Sequence, residues 1–523
     1  MVRILWVDDE IELLKPHVLF LEKRGYAIFT CNNGYDAIDM FKQEHFDLVI
    51  LDEMMPGMTG LDMLPLIKDI SPDVPIIMVT KSEEDDIMDK AIGSKIADYI
   101  IKPVNPRQVL SSIKKFIHSE ALVTEKTTAD YRSEFGRLSQ SMQSADSFAD
   151  WCNLYRKLTN WDIEIAQTSD QSIREVLNYQ QVEARQLFSR FVCRNYVEWI
   201  NRRGEDTPVM SHTLMRDRVL PVLEQEMDRG GKTTLLLIDN FRYDQWREIS
   251  SQLRSLFEVE TDGLYCSILP TATQYARNAM FAGMMPLEIA KKMPEKWVHD
   301  HEGEAKNQYE EEFLSALLRR NGLEECRVSY DKLVRPEQGR KLLANMQHIH
   351  EADLSVIVYN FLDVLSHART ETNVVRELTE DDASYRSLTR SWFDHSELYS
   401  ILRQLSQKGH TVIITSDHGT VRVDKAIKVT GDKQTSANLR YKTGRNLAYN
   451  HREVFEVTRP ENIQLPSSNI TSSYIFAYDS DFFVYNNDAN RHIRYYKSTF
   501  QHGGISMEEM LVPYVVLKPK RVE

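Results

Sequence analysis

The first 120 residues alternate short apolar runs with longer mixed stretches. Arg3-Ile4-Leu5-Trp6-Val7 and Leu48-Val49-Ile50-Leu51 each end in aspartate, Ile76-Ile77-Met78-Val79 ends in Thr80, and Tyr99-Ile100-Ile101 ends in Lys102-Pro103. Unbroken apolar runs of this length fit strands buried on both faces, and the helix-length spacers between them predict a parallel α/β sheet. The pattern changes from 121 to 205, where proline disappears and Gly136 is the one glycine before the Arg202-Arg203-Gly204-Glu205-Asp206 exit segment. Ile173, Leu177, Ala184, Leu187, Phe188 and Phe191 recur at three- and four-residue spacings, and Phe148, Trp151, Leu154, Tyr155 and Leu158 mark a second helix. A shorter helix ahead of them completes a three-helix bundle whose Trp and Phe stripe is its own core. After Gly230-Gly231 the apolar runs return, at Leu235-Leu236-Leu237-Ile238, Ser355-Val356-Ile357-Val358-Tyr359, Val412-Ile413-Ile414-Thr415-Ser416 and Met510-Leu511-Val512-Pro513-Tyr514. The predicted organisation is therefore three domains, at 1–120, 121–205 and 206–523, which agrees with the size at which single cores stop growing.

Composition narrows the function. A net charge of -14 and a pI near 5.6 argue against a DNA-binding effector, and no helix-turn-helix spacing with a basic second helix is present. Sequence-specific DNA binding is not expected. The five cysteines (Cys31, Cys152, Cys193, Cys266, Cys326) form no CxxC pair and read as reduced, buried thiols. No run of about 18 apolar residues is found, and acidic residues at 8–10 interrupt any secretory leader, so a cytoplasmic location without membrane insertion is expected.

Functional groups in parallel sheets collect at the carboxyl ends of the strands, and the first domain's polar residues all fall there. Asp8, Asp9 and Asp52 suit a hard cation such as Mg2+. That charge would offset Asp52 as it attacks a phosphoryl donor. Lys102 is a point charge for the phosphate, Thr80 can hydrogen-bond it once formed, and Pro103 is a candidate cis-proline that aims the lysine. With Glu53-Met54-Met55-Pro56-Gly57-Met58-Thr59-Gly60 following Asp52, residues 1–120 resemble a response-regulator receiver domain. The resemblance implies that Asp52 is the phosphoacceptor and that Asp9 and Asp52 hold Mg2+ with the Met54 carbonyl. It also implies that Thr80 and Tyr99 form an aromatic switch, that a sensor histidine kinase lies upstream, and that phosphorylation drives a homodimer.

In the last domain the apolar runs deliver Asp239, Asp363 with His367 four residues on, Asp417-His418-Gly419 and Gln501-His502-Gly503. Carboxylate plus imidazole is a ligand set zinc accepts. Neighbouring side chains on a strand diverge, so Asp417 and His418 are expected to flank two ions better than to chelate one. The assembly resembles the alkaline phosphatase superfamily and, within it, the PglZ-type domain over roughly 206–523. The resemblance assigns Asp363, His367 and His502 to one zinc, and Asp239, Asp417, His418 and the nucleophile's oxygen to the other. Pro270-Thr271-Ala272-Thr273 offers two hydroxyls. The family places its nucleophile at a helix start ten residues before a glycine, which from Gly283 gives Thr273, with Thr271 in reserve. Arg277 matches the basic position that follows the nucleophile in sulfatase relatives. Asn240 and Arg242 are further candidates for substrate contact, whereas His348, His350 and His395 read as surface residues. The charged segment from 286 to 350, acid-rich from Glu302 to Glu312, is expected to cap the site. Lys433-Gln434-Thr435 and Arg440-Tyr441-Lys442, near Arg445, read equally as a polyanion surface or a solvated loop.

The resulting fold class is α/β: a doubly wound, flavodoxin-like receiver, a central helical bundle, and an alkaline-phosphatase-like α/β domain. The architecture resembles response regulators that govern type IX secretion in Bacteroidota. The function it implies is a switch on Asp52 controlling a dizinc phosphodiesterase for nucleotide-type diesters. The alternative is a signalling adaptor with a structural zinc site that binds a sigma factor or secretion component.

Overall fold

The computed structural model describes residues 2–81, 96–117, 119–201, 206–299, 306–371, 381–432, 435–467, 469, 471–487 and 489–520; the side chains of 119–123 and 367–371 lie outside that description. The chain divides into two compact units, Met1–Asp130 with Gln167–Asp170, and Tyr131–Ala166 with Gln171–Glu523.

The first unit is a five-stranded parallel sheet of β1 (Arg3–Val7), β2 (Ala27–Cys31), β3 (Leu48–Asp52), β4 (Ile76–Thr80) and β5 (Asp98–Ile101). The strands lie in the order β2-β1-β3-β4-β5. Helices Gly34–Gln43 and Gly60–Ile70 contribute to one buried cluster with Leu5, Val49 and Met78, while Pro106–Ile117 packs with Ile4, Ile50 and Ile77 on the other face. The alternation along each strand sends successive side chains to opposite faces, so both faces are dry and β3 and β4 are buried throughout. Asp52 and Thr80 close their strands at the same end of this sheet.

The second unit is built on a six-stranded sheet of β6 (Lys232–Ile238), β7 (Phe257–Cys266), β8 (Val328–Leu333), β9 (Leu354–Tyr359), β10 (His410–Thr415) and β11 (Leu511–Pro519). Their order is β7-β11-β10-β6-β9-β8. β10, β6, β9 and β8 are mutually parallel, and β11 runs antiparallel to both neighbours. Three smaller sheets lie between 421 and 501.

The helices Ser119–Ser144, Phe148–Ala166 and Gln171–Asn201 follow the 3.6-residue pattern seen in the sequence. Their aromatic stripe does not stay within a bundle. Trp151 meets Phe188 and Phe191 with ring centroids 5.5 and 6.0 Å apart, and the same buried cluster continues into Leu236 and Val356 of the sheet. Tyr155 rests on Tyr243, Arg185 pairs with Asp479 and Glu508, and Arg386 pairs with Asp162. A Trp–Phe stripe on helices this short of self-burial needs a second surface, and the α/β sheet supplies it.

The described residues between 286 and 350 belong largely to the main core and not to a cap. Phe313, Leu314, Leu317 and Leu318 of helix Glu310–Arg320 are buried in the main core, and β8 is the edge strand of the main sheet. Glu311 and Glu312 lie on the solvent face of a core helix while Glu310 turns inward, a division that composition alone cannot tell from a lid. Glu302 to Ala305 of the acid-rich stretch lie outside the described residues, as do Arg202 to Glu205 of the exit segment. Among the described residues no helix is long and apolar enough to cross a membrane.

Candidate active site and receiver site

In the first unit Lys102 reaches both carboxylates at the strand ends, with Nζ 3.0 Å from Asp8 Oδ2 and 2.9 Å from Asp52 Oδ2. The Lys102–Pro103 peptide is cis, as the Lys-Pro pair predicts. Asp8, Asp9 and Asp52 offer oxygens within 4.8 Å of one another, a cluster that fits a small divalent cation. Burial raises the Asp52 carboxyl, and Lys102 works against that rise through its hydrogen bond and its charge. Met54, after Asp52, is exposed, while Glu53 is buried at 5% exposure with its carboxylate accepting from the Thr80 hydroxyl. Tyr99 lies on the neighbouring strand β5, paired to Met78 of β4. Glu53 was not singled out by the sequence, because a glutamate after the acceptor aspartate reads as a solvated side chain.

In the second unit the strand ends and two loops bring six of the seven proposed zinc ligands together. Asp239 follows β6, and Asp417 and His418 follow β10, one strand over. Asp239, Asp417 and His418 place ligand atoms within 4.8 Å of one another, all buried. Thr273 Oγ1 lies 3.1 Å from His418 Nε2. Asp363 enters from helix Phe361–Glu371, 3.7 Å from His502 Nε2, and the rings of His502 and His418 stack with centroids 4.2 Å apart. His367 lies on that helix, one turn after Asp363, but its side chain is outside the described residues.

Asp417 and His418 converge on one cluster, contrary to the alternation expected of a strand. β10 ends at Thr415, so the pair sits on turning backbone where strand alternation no longer applies. Gly419 permits that turn: a Cβ there would stand 2.0 Å from the Glu508 carbonyl oxygen. Asn240 makes the other turn, with φ of 61°, a left-handed conformation that asparagine tolerates. Its amide side chain donates to Ser366 Oγ at 3.1 Å, tying the end of β6 to the helix that carries Asp363.

The two imidazoles are oriented alike. His418 Nδ1 is 3.1 Å from the Gly419 carbonyl and His502 Nδ1 is 3.1 Å from the Thr271 carbonyl. A carbonyl accepts only, so each Nδ1 carries the proton and each Nε2 lone pair faces the carboxylates, the arrangement of metal-ligating histidines. Asp239 Oδ1 is buried without a hydrogen-bond partner among the described residues. A buried carboxylate oxygen left bare in a cluster of carboxylates and imidazoles fits a cation there, and the donor set fits zinc.

Beneath the cluster lies Arg277, fully buried, paired with Asp239, Asp417 (3.0 Å) and Glu310 (3.5 Å). Burial pushes the Asp239 carboxyl up, with Asp417 and Asp363 adding to the rise against Arg277. Burial also acts to raise Asp417, but Arg277, His418 and two backbone N–H groups outweigh it and hold that carboxyl low. Glu310 is held in turn by Tyr330 and by Lys332 Nζ at 2.8 Å. No motif pointed to Glu310, since its partners are 33 and 22 residues away.

The two candidate threonines separate cleanly. Thr271 is fully buried: its hydroxyl donates to the Gly504 carbonyl at 2.9 Å and accepts from Gly503 N at 3.0 Å. Thr273 opens helix Thr273–Ala282, is partly accessible, and is followed by nine buried residues. Ala272 precedes it as an N-cap with no side-chain hydrogen bond, so no side chain competes for that helix end. Thr271→Val is expected to cost about 1–3 kcal/mol for each polar group it leaves unpaired. It should lower the melting midpoint while retaining turnover within tenfold, as read by calorimetry and phosphodiester assay.

Other expected contacts lie elsewhere. Arg242 is 2% exposed and bonded to Asp244 and Asp382, a strut between elements rather than a substrate contact. Arg440 is fully buried against Glu509, and Lys442 is buried with Nζ on the Ser436 carbonyl at 2.9 Å, where burial lowers its pKa to about 8. The basic stretch from 440 is thus interior, and Lys433 and Gln434 are outside the described residues. Glu509 also receives Gly504 N at 2.9 Å and Ser506 Oγ at 2.7 Å, fixing the loop that carries His502. The Ser506-x-x-Glu509 spacing of a capping box was a readable signal for it.

The chain belongs to the BREX system PglZ alkaline phosphatase-like domain family, whose model matches residues 214–517, more than half of its length. The response regulator receiver domain matches 4–114 and the PorX response regulator linker domain matches 121–200. Receiver, linker and PglZ domain in that order are those of a PorX-type regulator. The receiver portion is 36% identical over 123 residues to the transcriptional regulatory protein CpxR homolog of Haemophilus influenzae, covering 23% of this chain and 52% of that protein. It is 35% identical over 115 residues to the transcriptional regulatory protein ResD of Bacillus subtilis, covering 22% and 48%. The chain thus spans about half the length of the curated relatives it matches. Among solved structures it is similar to a CheY-like receiver domain protein from Methanospirillum hungatei, at 30% identity and a TM-score of 0.21 over 22% of this chain and 92% of that one. It is likewise similar to response regulator TrrA from Thermotoga maritima in complex with Mg2+ and BeF, at 33% identity and a TM-score of 0.21 over 22% and 99%.

Proposed function

We propose that the chain is a phosphorylation-controlled zinc phosphodiesterase that uses Thr273 as its nucleophile. The observation carrying this reading is the 3.1 Å contact between the accessible Thr273 hydroxyl and His418, inside the cluster of Asp239 and Asp417. Asp239, Asp417, His418 and Thr273 Oγ1 would hold one zinc, and Asp363, His367 and His502 the other. Bound zinc supplies positive charge beside the attacking and leaving oxygens and lowers the pKa of the threonine hydroxyl.

The protein's own part is positioning. Thr273 Oγ1 gives up its proton and attacks phosphorus, a Thr–O–P bond forms, and the bond to the leaving oxygen breaks, that oxygen taking up a proton to depart as the alcohol. Water then cleaves the Thr–O–P bond and frees the hydroxyl. The start of helix Thr273–Ala282 favours the anionic phosphoryl group at that oxygen. Arg277 touches three carboxylates and no open surface, so it acts as a positioning residue and leaves no charge for a second phosphoryl anion. That favours the singly charged diester over a monoester, and nucleotide-type diesters are the proposed class. In the test, bis-p-nitrophenyl phosphate and a short oligonucleotide are assayed with matched metal analysis. Two zinc ions per chain and turnover abolished by a chelator are expected. Unchanged turnover in zinc-free protein would sink the reading.

On the receiver side, Asp52 is the proposed phosphoacceptor, with Mg2+ held by Asp8, Asp9, Asp52 and the Met54 carbonyl, and Lys102 on the phosphoryl group. Phosphorylation by a sensor kinase is proposed to produce a homodimer. Light scattering is expected to give a doubled mass on adding beryllofluoride and Mg2+, and an unchanged mass with Asp52→Asn. Regulation of type IX secretion, through a sigma factor or secretion component, completes the proposed role.

A further inference from the structure

Glu53 is an ionisable side chain buried next to the proposed phosphoacceptor, and the chemistry assigned to the receiver does not use it. It is 5% exposed, and its carboxylate accepts the hydroxyl hydrogen of Thr80. Lys102 is already engaged by Asp8 and Asp52. Tyr99 stands on the adjoining strand with its hydroxyl buried and without a hydrogen-bond partner among the described residues. Glu53 N donates to the Val79 carbonyl at 2.8 Å, one residue along β4 from the Met78 that pairs with Tyr99, and burial, with the charge of Glu53 second, raises the Tyr99 phenol above its ordinary value.

These three groups contain an exchange. A threonine hydroxyl has one hydrogen to donate. While that hydrogen lies on Glu53, it cannot also lie on a phosphoryl oxygen at Asp52. If Thr80 turns to the phosphoryl group, the buried Glu53 carboxylate loses its donor, and a buried carboxylate without a donor is strongly disfavoured. The phenol of Tyr99 is a donor in the same region whose hydrogen has no acceptor among the described residues.

We infer that Glu53 is the positioning residue of the receiver switch, holding the Thr80 hydroxyl before phosphorylation and taking the Tyr99 hydroxyl in exchange afterwards. The inference rests on Asp52 as phosphoacceptor, and it gives Tyr99 a physical reason to move inward. No covalent step is involved; one O–H···O bond replaces another at a fixed acceptor. Glu53 therefore sets two quantities at once, the cost of releasing Thr80 and the gain from capturing Tyr99.

The test is a double-mutant cycle on the full chain, with beryllofluoride and Mg2+ as the phosphoryl probe and affinity read by isothermal titration. Glu53→Met removes the competing acceptor while keeping an unbranched side chain, and should tighten beryllofluoride binding on the order of fivefold. Tyr99→Phe should weaken binding on the order of fivefold when Glu53 is present and by less than twofold beside Glu53→Met. Glu53→Gln, a neutral acceptor of nearly the same shape, should fall between wild type and Glu53→Met, and it keeps the test alive should the methionine variant unfold. Equal effects of Tyr99→Phe in both backgrounds, or affinity unchanged or weakened by both Glu53 variants, overturn the exchange. If the wild type takes up no beryllofluoride, or takes it up equally as Asp52→Asn, the phosphoacceptor reading falls and the exchange with it. A merely structural role for Glu53 would shift the melting midpoint without moving the coupling between positions 53 and 99.

Discussion

Thr273→Val is expected to lower phosphodiester turnover on the order of 10³-fold or more, the scale seen when a nucleophile is removed from an assembled site. Valine keeps the branched shape at the start of helix Thr273–Ala282, so the helix and its nine buried residues should hold. What it removes is the one oxygen of this segment that is both accessible and 3.1 Å from His418. The carboxylates and imidazoles of the cluster are untouched, so zinc content should stay close to two per chain with at most a modest loss in affinity. The contrast with Thr271→Val makes the result decisive. Thr271 is a strut to Gly503 and Gly504, and its loss should register in stability before chemistry. Turnover near wild type in Thr273→Val, checked by bis-p-nitrophenyl phosphate hydrolysis with parallel metal analysis, would remove the proposed mechanism.

Arg277→Met is expected to have the largest effect on stability. The guanidinium is fully buried and faces Asp239, Asp417 and Glu310. Removing one partner of a buried ion pair leaves charge without compensation and costs about 3–5 kcal/mol. Zinc should recover part of that loss, because it returns positive charge to Asp239 and Asp417 but not to Glu310. The measurement is chemical denaturation of the metal-free and zinc-loaded variant beside wild type. A destabilisation below about 1 kcal/mol in the metal-free protein, the level of an ordinary exposed pair, would show that Arg277 does not hold the carboxylates.

Parallel sheets announce themselves in sequence, because strands buried on both faces become unbroken apolar runs, and the residue closing each run stands at the end where ligands bind. That is why Asp8, Asp52, Thr80, Asp239 and Asp417 were legible from their positions alone. The helices of the middle region were equally legible from their 3.6-residue spacing. Their partner was not, since a stripe of Trp151, Phe188 and Phe191 carries no mark of whether it faces another helix or a sheet. The segment around Glu310 misread as a cap for a related reason: the solvent face of a core helix and the surface of a lid have the same composition.

By itself the amino-acid sequence determined which polar side chains stand at the ends of the buried strands, because strand periodicity and turn chemistry are local. Tertiary structure alone buried Thr271 against Gly504 and set the Thr273 hydroxyl beside His418, turned Arg440 and Lys442 inward, set Arg277 and Glu310 under the carboxylates and brought Glu53 to Thr80. Each of those outcomes depends on burial and on partners tens or hundreds of residues away, and a buried charge is defined by the partner that compensates it, which local sequence does not record.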